Sequence, residues 1–449
     1  MIKTIQKHVT SEEIINYFKN KDIDENWSFK EYKRKETSKL THGYHRYPAK
    51  FIPQLVEKLF DEYVSGEDVK VNDPFMGSGT TIVSAISRGY YVSGTDINKI
   101  AYLITKVKST PINPDYLKKK LSEFFIEISD LNVYNKVTLF DHEDITPLIP
   151  QNHIERIDYW FHNDIKLILG KLLRIIMNEN DNNIRDFLIV AFSNILKNCS
   201  IWLQNSTKPT RDFNKIPSDP IKSIIRQLKK MQVNNSIFYN LCPVEIKNNI
   251  KKYLNIKVGE AEKQPVESST IDLIVTSSPY VTSYEYADLH QLSTIWLDLV
   301  DDLKEYKSKF IGSSYKNSNL EELKSHIAIK IVEEMQLISK KFANEIEAFF
   351  IDMQEVIKES YRILKSGGRA CYVIGNTKLK GVSILNAEVF TEIMSSESFE
   401  IERIIKREIP SKILPQTRDL KTGRFAKSIS SDNLAYPTEY IIVGKKGEE

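Results

Sequence analysis

A chain of 449 residues that is 41% hydrophobic, 10% aromatic and 27% charged carries enough apolar material for a buried core, which excludes collagen-like and disordered classes. With 63 Lys and Arg against 60 Asp and Glu, the net charge is only +3, so any affinity for a polyanion has to come from local patches. Cys199, Cys242 and Cys371 stand far apart in no Cys-x-x-Cys or Cys/His spacing, which predicts buried thiols rather than a disulfide framework or a zinc site.

The first residues, Met1 to Lys7, hold no apolar signal-peptide core, and no stretch approaches the roughly 20 apolar residues of a membrane span. The expectation is a cytoplasmic protein with no membrane association. A polar segment runs to about Ser38, and Tyr47-Pro48-Ala49-Lys50-Phe51 leads into an amphipathic helix from Gln54 to about Tyr63. Val69 to Val71 reads as a strand, Asp73 to Gly79 as a turn, Thr80 to Arg88 as a helix and Tyr90 to Thr95 as a second strand. From Asp115 to about Tyr253 the apolar residues fall at helical spacing, as in Leu169, Leu172, Leu173 and Ile176, with Trp160, Phe161 and Trp202 expected in that segment's core. Strands resume at Leu254 to Val258 and Ile271 to Thr276. A charged helical stretch covers about Leu303 to Asn344, followed by a helix from Glu345 to about Leu364, a turn at Lys365 to Gly368 and a strand from Ala370 to Ile374. Phe399 to Ile405 and Tyr440 to Val443 close the series. Strands alternating with helices predict an α/β fold with a mostly parallel sheet covered on both faces. Its core comprises residues 1–110 and 254–449, with helical insertions at 111–253 and about 303–344.

Asp73-Pro74-Phe75-Met76-Gly77-Ser78-Gly79-Thr80-Thr81 lies between a strand and a helix, where small residues let a ligand approach the backbone and a helix N-terminus favours an anionic group. It lacks the Gly-Lys-[Ser/Thr] of a P-loop and the third glycine of a dinucleotide fingerprint. Asp96 ends the second strand about 20 residues later, placed to accept hydrogen bonds from the ribose hydroxyls of an adenosine-containing cofactor. Glu260 follows the third strand, where it can receive an adenine amino group.

Ile271 to Tyr280 is a buried strand ending in Ser277-Ser278-Pro279-Tyr280, and here the sequence resembles the DNA amino-methyltransferases. Asp73 to Thr80 matches that family's Asp-Pro-Phe-x-Gly-Ser-Gly-Thr motif without a break, and Ser277 to Tyr280 its [Ser/Asp/Asn]-Pro-Pro-[Tyr/Phe/Trp] motif, with Ser278 in place of the first proline. Tyr47 to Phe51 resembles the family's upstream element, and Tyr361 to Gly368 is also family-like. The resemblance covers roughly residues 40–110 and 255–445. The motif order is alpha-type, although the long insertion here precedes the third strand. The resemblance implies a Rossmann-like, S-adenosylmethionine-dependent methyltransferase sheet with helical insertions. It places the cofactor against Tyr47, Lys50, Phe51, Asp73, Phe75, Gly77, Gly79, Thr80, Asp96 and Glu260. The flipped base falls to Ser277, Ser278, Pro279 and Tyr280: the Ser277 hydroxyl and the Ser278 carbonyl draw on the amine's N–H groups, and Tyr280 stacks on the ring.

A leading serine is commoner among the family's N4-cytosine enzymes, so methylation of the N4 amine of cytosine is expected, with N6-adenine as the alternative. Carbon-5 methylation needs a nucleophilic cysteine in a Pro-Cys setting, which the chain lacks. The implied role is restriction-modification: a monomer acting on double-stranded DNA at a specific recognition site beside a cognate restriction endonuclease. Between Gln204 and Lys252 the local charge balance is +7, and Lys208 and Arg211 in its loop are candidates for DNA contact. The run Arg403 to Lys427 has eight basic and two acidic residues and adds Arg418 and Arg424. Tyr284 and Tyr286 read equally as base contacts or core, and His42 and His45 as structural or phosphate-contacting. No metal site is expected. Other readings are an RNA amine methyltransferase, a non-catalytic DNA-binding protein that keeps the fold, and a nicotinamide oxidoreductase.

Overall fold

The structure is a computed structural model that describes residues 9–47, 51–129, 131, 145–206, 209–281, 286–312, 323–409, 417–418, 425–426 and 438–448. Seven strands form the central sheet: β1 (Lys70–Asp73), β2 (Tyr91–Asp96), β3 (Leu254–Val258), β4 (Ile271–Ser277), β5 (Leu364–Gly375), β6 (Phe399–Glu408) and β7 (Thr438–Lys446). Their order across the sheet is β3-β2-β1-β4-β5-β7-β6. The first five are parallel, and β7 is antiparallel to both β5 and β6. The predicted strands all form, within a few residues at their ends. The direction of strand order reverses between β1 and β4, and ligands of open parallel sheets bind beyond the carboxyl ends at such a switch point.

Both faces are covered, and the two-residue period decides which side chain faces which layer. Ile274, Tyr372, Ile374 and Ile442 point into one core with the Lys340–Ile363 helix. Their neighbours Leu273, Val275, Cys371, Val373 and Ile441 point into the other, packing with the Pro53–Tyr63 and Thr80–Ser87 helices. The region between β2 and β3 is helical as expected and has its own core, in which the rings of Trp160 and Trp202 stack at 5.0 Å. Its last long helix, Pro220–Leu241, ends against the sheet: Phe238, Cys242 and Ile246 pack with Val71 and Val92. The inserted layer therefore merges with the sheet before residue 253.

Three differences from the sequence reading have local causes. The N-terminal polar segment contains a helix, Ser11–Lys19, started by a reciprocal Thr10/Glu13 capping box and anchored by buried Ile14 and Phe18. The expected turn at Lys365 to Gly368 is absorbed into β5 as a bulge. Ile271 lies opposite Leu364 and Leu273 opposite Arg369, and Gly367 takes up the excess at φ +76°. A hairpin at 377–384 and the Asn386–Ser396 helix follow β5, where the sequence reading has no element.

Candidate active site

The glycine turn is built from behind by groups that face away from the opening. Asp73, fully buried at the end of β1, accepts hydrogen bonds from the Phe75 amide at 3.1 Å and the Thr276 hydroxyl at 2.7 Å. Burial pushes its carboxyl up to about 7, against the pull of those donors. Gly77 and Gly79 adopt φ +47° and +76°. A Cβ on Gly79 would stand 2.8 Å from the Thr105 side chain, so the Gly79→Ala chain meets both a left-handed backbone and a clash. We expect that variant to lose about 2–4 kcal/mol of stability, read as a lower denaturant midpoint with unchanged slope.

Asp96 closes the turn from the next strand. One carboxylate oxygen accepts the Gly77 amide at 2.9 Å and the other the Asn98 amide at 2.8 Å. Burial raises its carboxyl to about 6 despite both bonds. Each oxygen keeps a second lone pair for a ligand.

A cleft opens above these groups, with an empty volume of about 990 Å³ that includes the open space at its mouth. Tyr47, Phe51, Phe75, Gly77, Thr80, Asp96 and Glu260 line it, and so do Ser277, Pro279 and Tyr280. Both motifs thus meet in one space. Asp73, Gly79 and Ser278 do not line it: the first two shape the turn from below, and the Ser278 side chain is buried, its hydroxyl 3.5 Å from the Val373 carbonyl. Asp73 and Gly79 therefore shape the turn from beneath, and Ser278 keeps the main-chain carbonyl expected to act. Lys50 lies outside the described residues.

Other lining groups escaped the sequence reading. Ser78 presents a buried hydroxyl without a hydrogen-bond partner among the described residues, and the fully buried Lys108 donates to the Ser78 carbonyl at 3.0 Å. Lys309, Phe310 and Ile311 bring the second insertion to the cleft wall, where Tyr306 donates to the Asn98 side chain at 3.0 Å. Nothing local marks them, since the contact depends on where the insertion folds back. Tyr280 donates its hydroxyl to Glu439 at 3.0 Å. His45 is buried against Ser193 at 2.9 Å, and His290 beside Tyr47 is pushed down to about 4 by burial, which keeps it neutral. Both are structural groups behind Tyr47.

The basic candidates divide. Lys208, Arg424 and Tyr284 lie outside the described residues. Arg418 sits in a two-residue strand opposite Phe425, and nothing is described of its side chain or that of Tyr286. Arg211 is half-buried, its guanidinium 4.2 Å and 4.4 Å from the ring centres of Tyr159 and Phe213. Beside cleft-lining Tyr47, Arg46 approaches Lys197 and Lys215, and among the described residues none of the three forms an ion pair. Desolvation, then mutual repulsion with Arg46, lowers Lys197 to about 8; Lys215 is lowered to about 8 chiefly by desolvation. The three cysteines are buried, and desolvation lifts the Cys199 and Cys242 thiols to about 12 and the Cys371 thiol higher still.

A seven-stranded sheet of this order, with one antiparallel strand near its edge and a glycine turn facing an acidic strand end, agrees with the Rossmann-like methyltransferase sheet that the sequence resemblance implies. Residues 2–106 match the family model described as DNA methylase. The type II methyltransferase M.MvaI of Kocuria varians is 27% identical over 94% of this chain and 96% of its own. M.MjaII of Methanocaldococcus jannaschii, also a type II methyltransferase, is 24% identical over 80% and 83%. A solved S-adenosylmethionine-dependent methyltransferase from Methanosarcina mazei shares 10% identity and a TM-score of 0.29, over 87% of this chain and 98% of that one. The family model and the type II relatives both liken this chain to the DNA amino-methyltransferases.

Proposed function

We propose that this chain methylates the exocyclic N4 amine of a cytosine flipped out of double-stranded DNA, at a specific site and as the modification arm of a restriction system with a cognate endonuclease. The observation that carries this reading is the single cleft lined by the glycine turn, Asp96 and Glu260 on one side and by Ser277, Pro279 and Tyr280 on the other.

The residues fit the cofactor. Asp96 and Glu260 offer acceptors for ribose hydroxyls and an adenine amine, the Ser78 hydroxyl has no partner among the described residues, and Gly77 leaves the backbone open beside the Tyr47 ring. Phe51, Phe75, Thr80 and the upstream Lys50 complete the proposed set. When bound, S-adenosylmethionine supplies an electrophilic methyl group on a positively charged sulfur. Everything else falls to the chain. The Ser277 hydroxyl and the Ser278 carbonyl accept the two amine N–H bonds, which frees the nitrogen lone pair from the ring, while Tyr280 holds the ring plane. Positioning is the main catalytic contribution in such a displacement.

Carbon-5 chemistry is disfavoured because no described cysteine lines the cleft and all three thiols are shifted toward the neutral form. Serine at position 277 favours N4-cytosine, with N6-adenine as the second reading. The helical layer at 111–253 is the proposed target-recognition region of a monomer. Arg46, next to Tyr47 in the chain, supports a DNA path along it, together with Lys208, Arg211, Arg418 and Arg424.

Incubation with unmethylated bacterial DNA and S-adenosylmethionine, followed by digestion to nucleosides and mass spectrometry, should yield N4-methylcytosine. N6-methyladenine would overturn the base assignment and keep the chemistry; no methylated nucleoside would overturn the function.

A further inference from the structure

Because β7 runs antiparallel to its neighbours, its first residues arrive at the edge of the sheet where β4 and β5 end, which is the edge of the cleft. Glu439 stands there, opposite Gly375 of β5 on one side and Arg407 of β6 on the other. Its Oε1 accepts the Tyr280 hydroxyl at 3.0 Å and its Oε2 accepts Arg407 Nη1 at 2.8 Å. The Arg407 Nε donates in turn to the Trp27 carbonyl at 2.8 Å. The Arg407 and Glu439 side chains are only 4% and 9% exposed. Burying two charges costs more than an exposed pair returns unless further hydrogen bonds satisfy them, and here the Trp27 carbonyl and the Tyr280 hydroxyl supply those bonds. Here one carboxylate oxygen is committed to an aromatic ring that lines the cleft.

A tyrosine ring is attached through two rotatable bonds, so a ring held only at Cβ can swing about χ1 and carry its far end across the cleft. Fixing the hydroxyl at the far end stops the swing of the ring about χ1, and restrains χ2 only through the preference of the O–H bond for the ring plane; an ionised acceptor makes the bond roughly twice as strong as a neutral one. We propose that Glu439, paired with and oriented by Arg407, is a positioning residue for the reaction: it fixes the far end of the Tyr280 ring on which the flipped base rests. The proposal rests on the assignment of Tyr280 to the base. It also ties the N-terminal segment to the site, because the Trp27 carbonyl and the Asp24 amide both bond to β6, the latter to Lys406 at 2.8 Å.

The test is a double-mutant cycle on the full-length protein with Tyr280→Phe and Glu439→Gln, alongside Tyr280→Ala. Tyr280→Phe keeps the ring and leaves the buried ion pair intact, so it reports on the hydroxyl even where Glu439→Gln lowers stability. Each single variant is expected to lose roughly tenfold in kcat, with KM for DNA and affinity for S-adenosylmethionine unchanged, and the double variant no more than either alone. Single variants at wild-type kcat, or losses that multiply to about a hundredfold in the double variant, would overturn it. Full activity in Tyr280→Ala is the separate result that removes the base assignment and this proposal together.

Discussion

Asp96→Asn is expected to weaken S-adenosylmethionine binding about a hundredfold, roughly 2.7 kcal/mol, in calorimetric titration at pH 8. The carboxylate has two jobs at once. Its oxygens already hold the Gly77 and Asn98 amides at 2.9 and 2.8 Å, and their remaining lone pairs are the acceptors proposed for the ribose. An asparagine turns one of those acceptors into a donor, so it faces either an amide N–H of the turn or the ligand with the wrong polarity. The pH dependence separates this account from a general loosening of the turn. Burial lifts the Asp96 carboxyl to about 6, well above the ordinary aspartate range. A carboxyl raised in the folded state binds its proton more tightly there than in the unfolded chain. The free protein therefore loses stability as pH climbs from about 4 to about 6, and Asp73, raised to about 7, acts in the same direction. Cofactor affinity runs the other way, since the ionised carboxylate is the acceptor. Wild-type affinity should fall by about tenfold per pH unit below about 6, and that segment of the profile should be flat in Asp96→Asn. A variant that binds like the wild type at pH 8 would remove Asp96 from the cofactor site.

What the sequence made legible was whatever depends on near neighbours in the chain. Short β-rich runs between turn residues marked all seven strands: β4 and β7, buried on both faces, are nearly continuous apolar runs, while the edge strands β3 and β6 carry polar residues between apolar ones. The glycine turn was readable because positive φ at Gly77 and Gly79 restricts residue type, and Ser277 to Tyr280 because a strand ended there in a fixed order. Separating ligand contacts from their supports was beyond a linear reading. Asp73 and Asp96 both end strands, yet only Asp96 reaches the cleft, since Asp73 is covered by Thr276 from β4. Glu439 was invisible for the same reason. It lies 159 residues from Tyr280 and reaches it only because β7 inserts antiparallel between β5 and β6. Phe310 and Ile311 belong to a stretch whose composition says only that it is helical and charged. The Ser11–Lys19 helix was different: Thr10 and Glu13 spell a capping box before an apolar pair, a signal present in the sequence.

The largest kinetic effect is expected at Ser277→Ala, with kcat reduced on the order of 10²–10³-fold, the scale seen when one preorganised transition-state hydrogen bond is removed. An aromatic exocyclic amine is a weak nucleophile because its lone pair is shared with the ring, and it becomes reactive as the nitrogen turns pyramidal. Acceptors placed on its two N–H bonds favour that geometry more than the planar ground state, so their energy appears in the barrier rather than in binding. Ser277 is the last residue of β4 and lines the cleft, whereas the Ser278 hydroxyl is turned toward Val373. Removal of the Ser277 hydroxyl leaves the Ser278 carbonyl as the sole proposed acceptor. KM for DNA and affinity for S-adenosylmethionine should therefore stay near wild type while single-turnover methyl transfer slows. The loss should be the same whether the product is N4-methylcytosine or N6-methyladenine, because both amines present two N–H bonds to the same pair of acceptors. A Ser277→Ala rate within about threefold of wild type would mean that the amine is held elsewhere in the cleft.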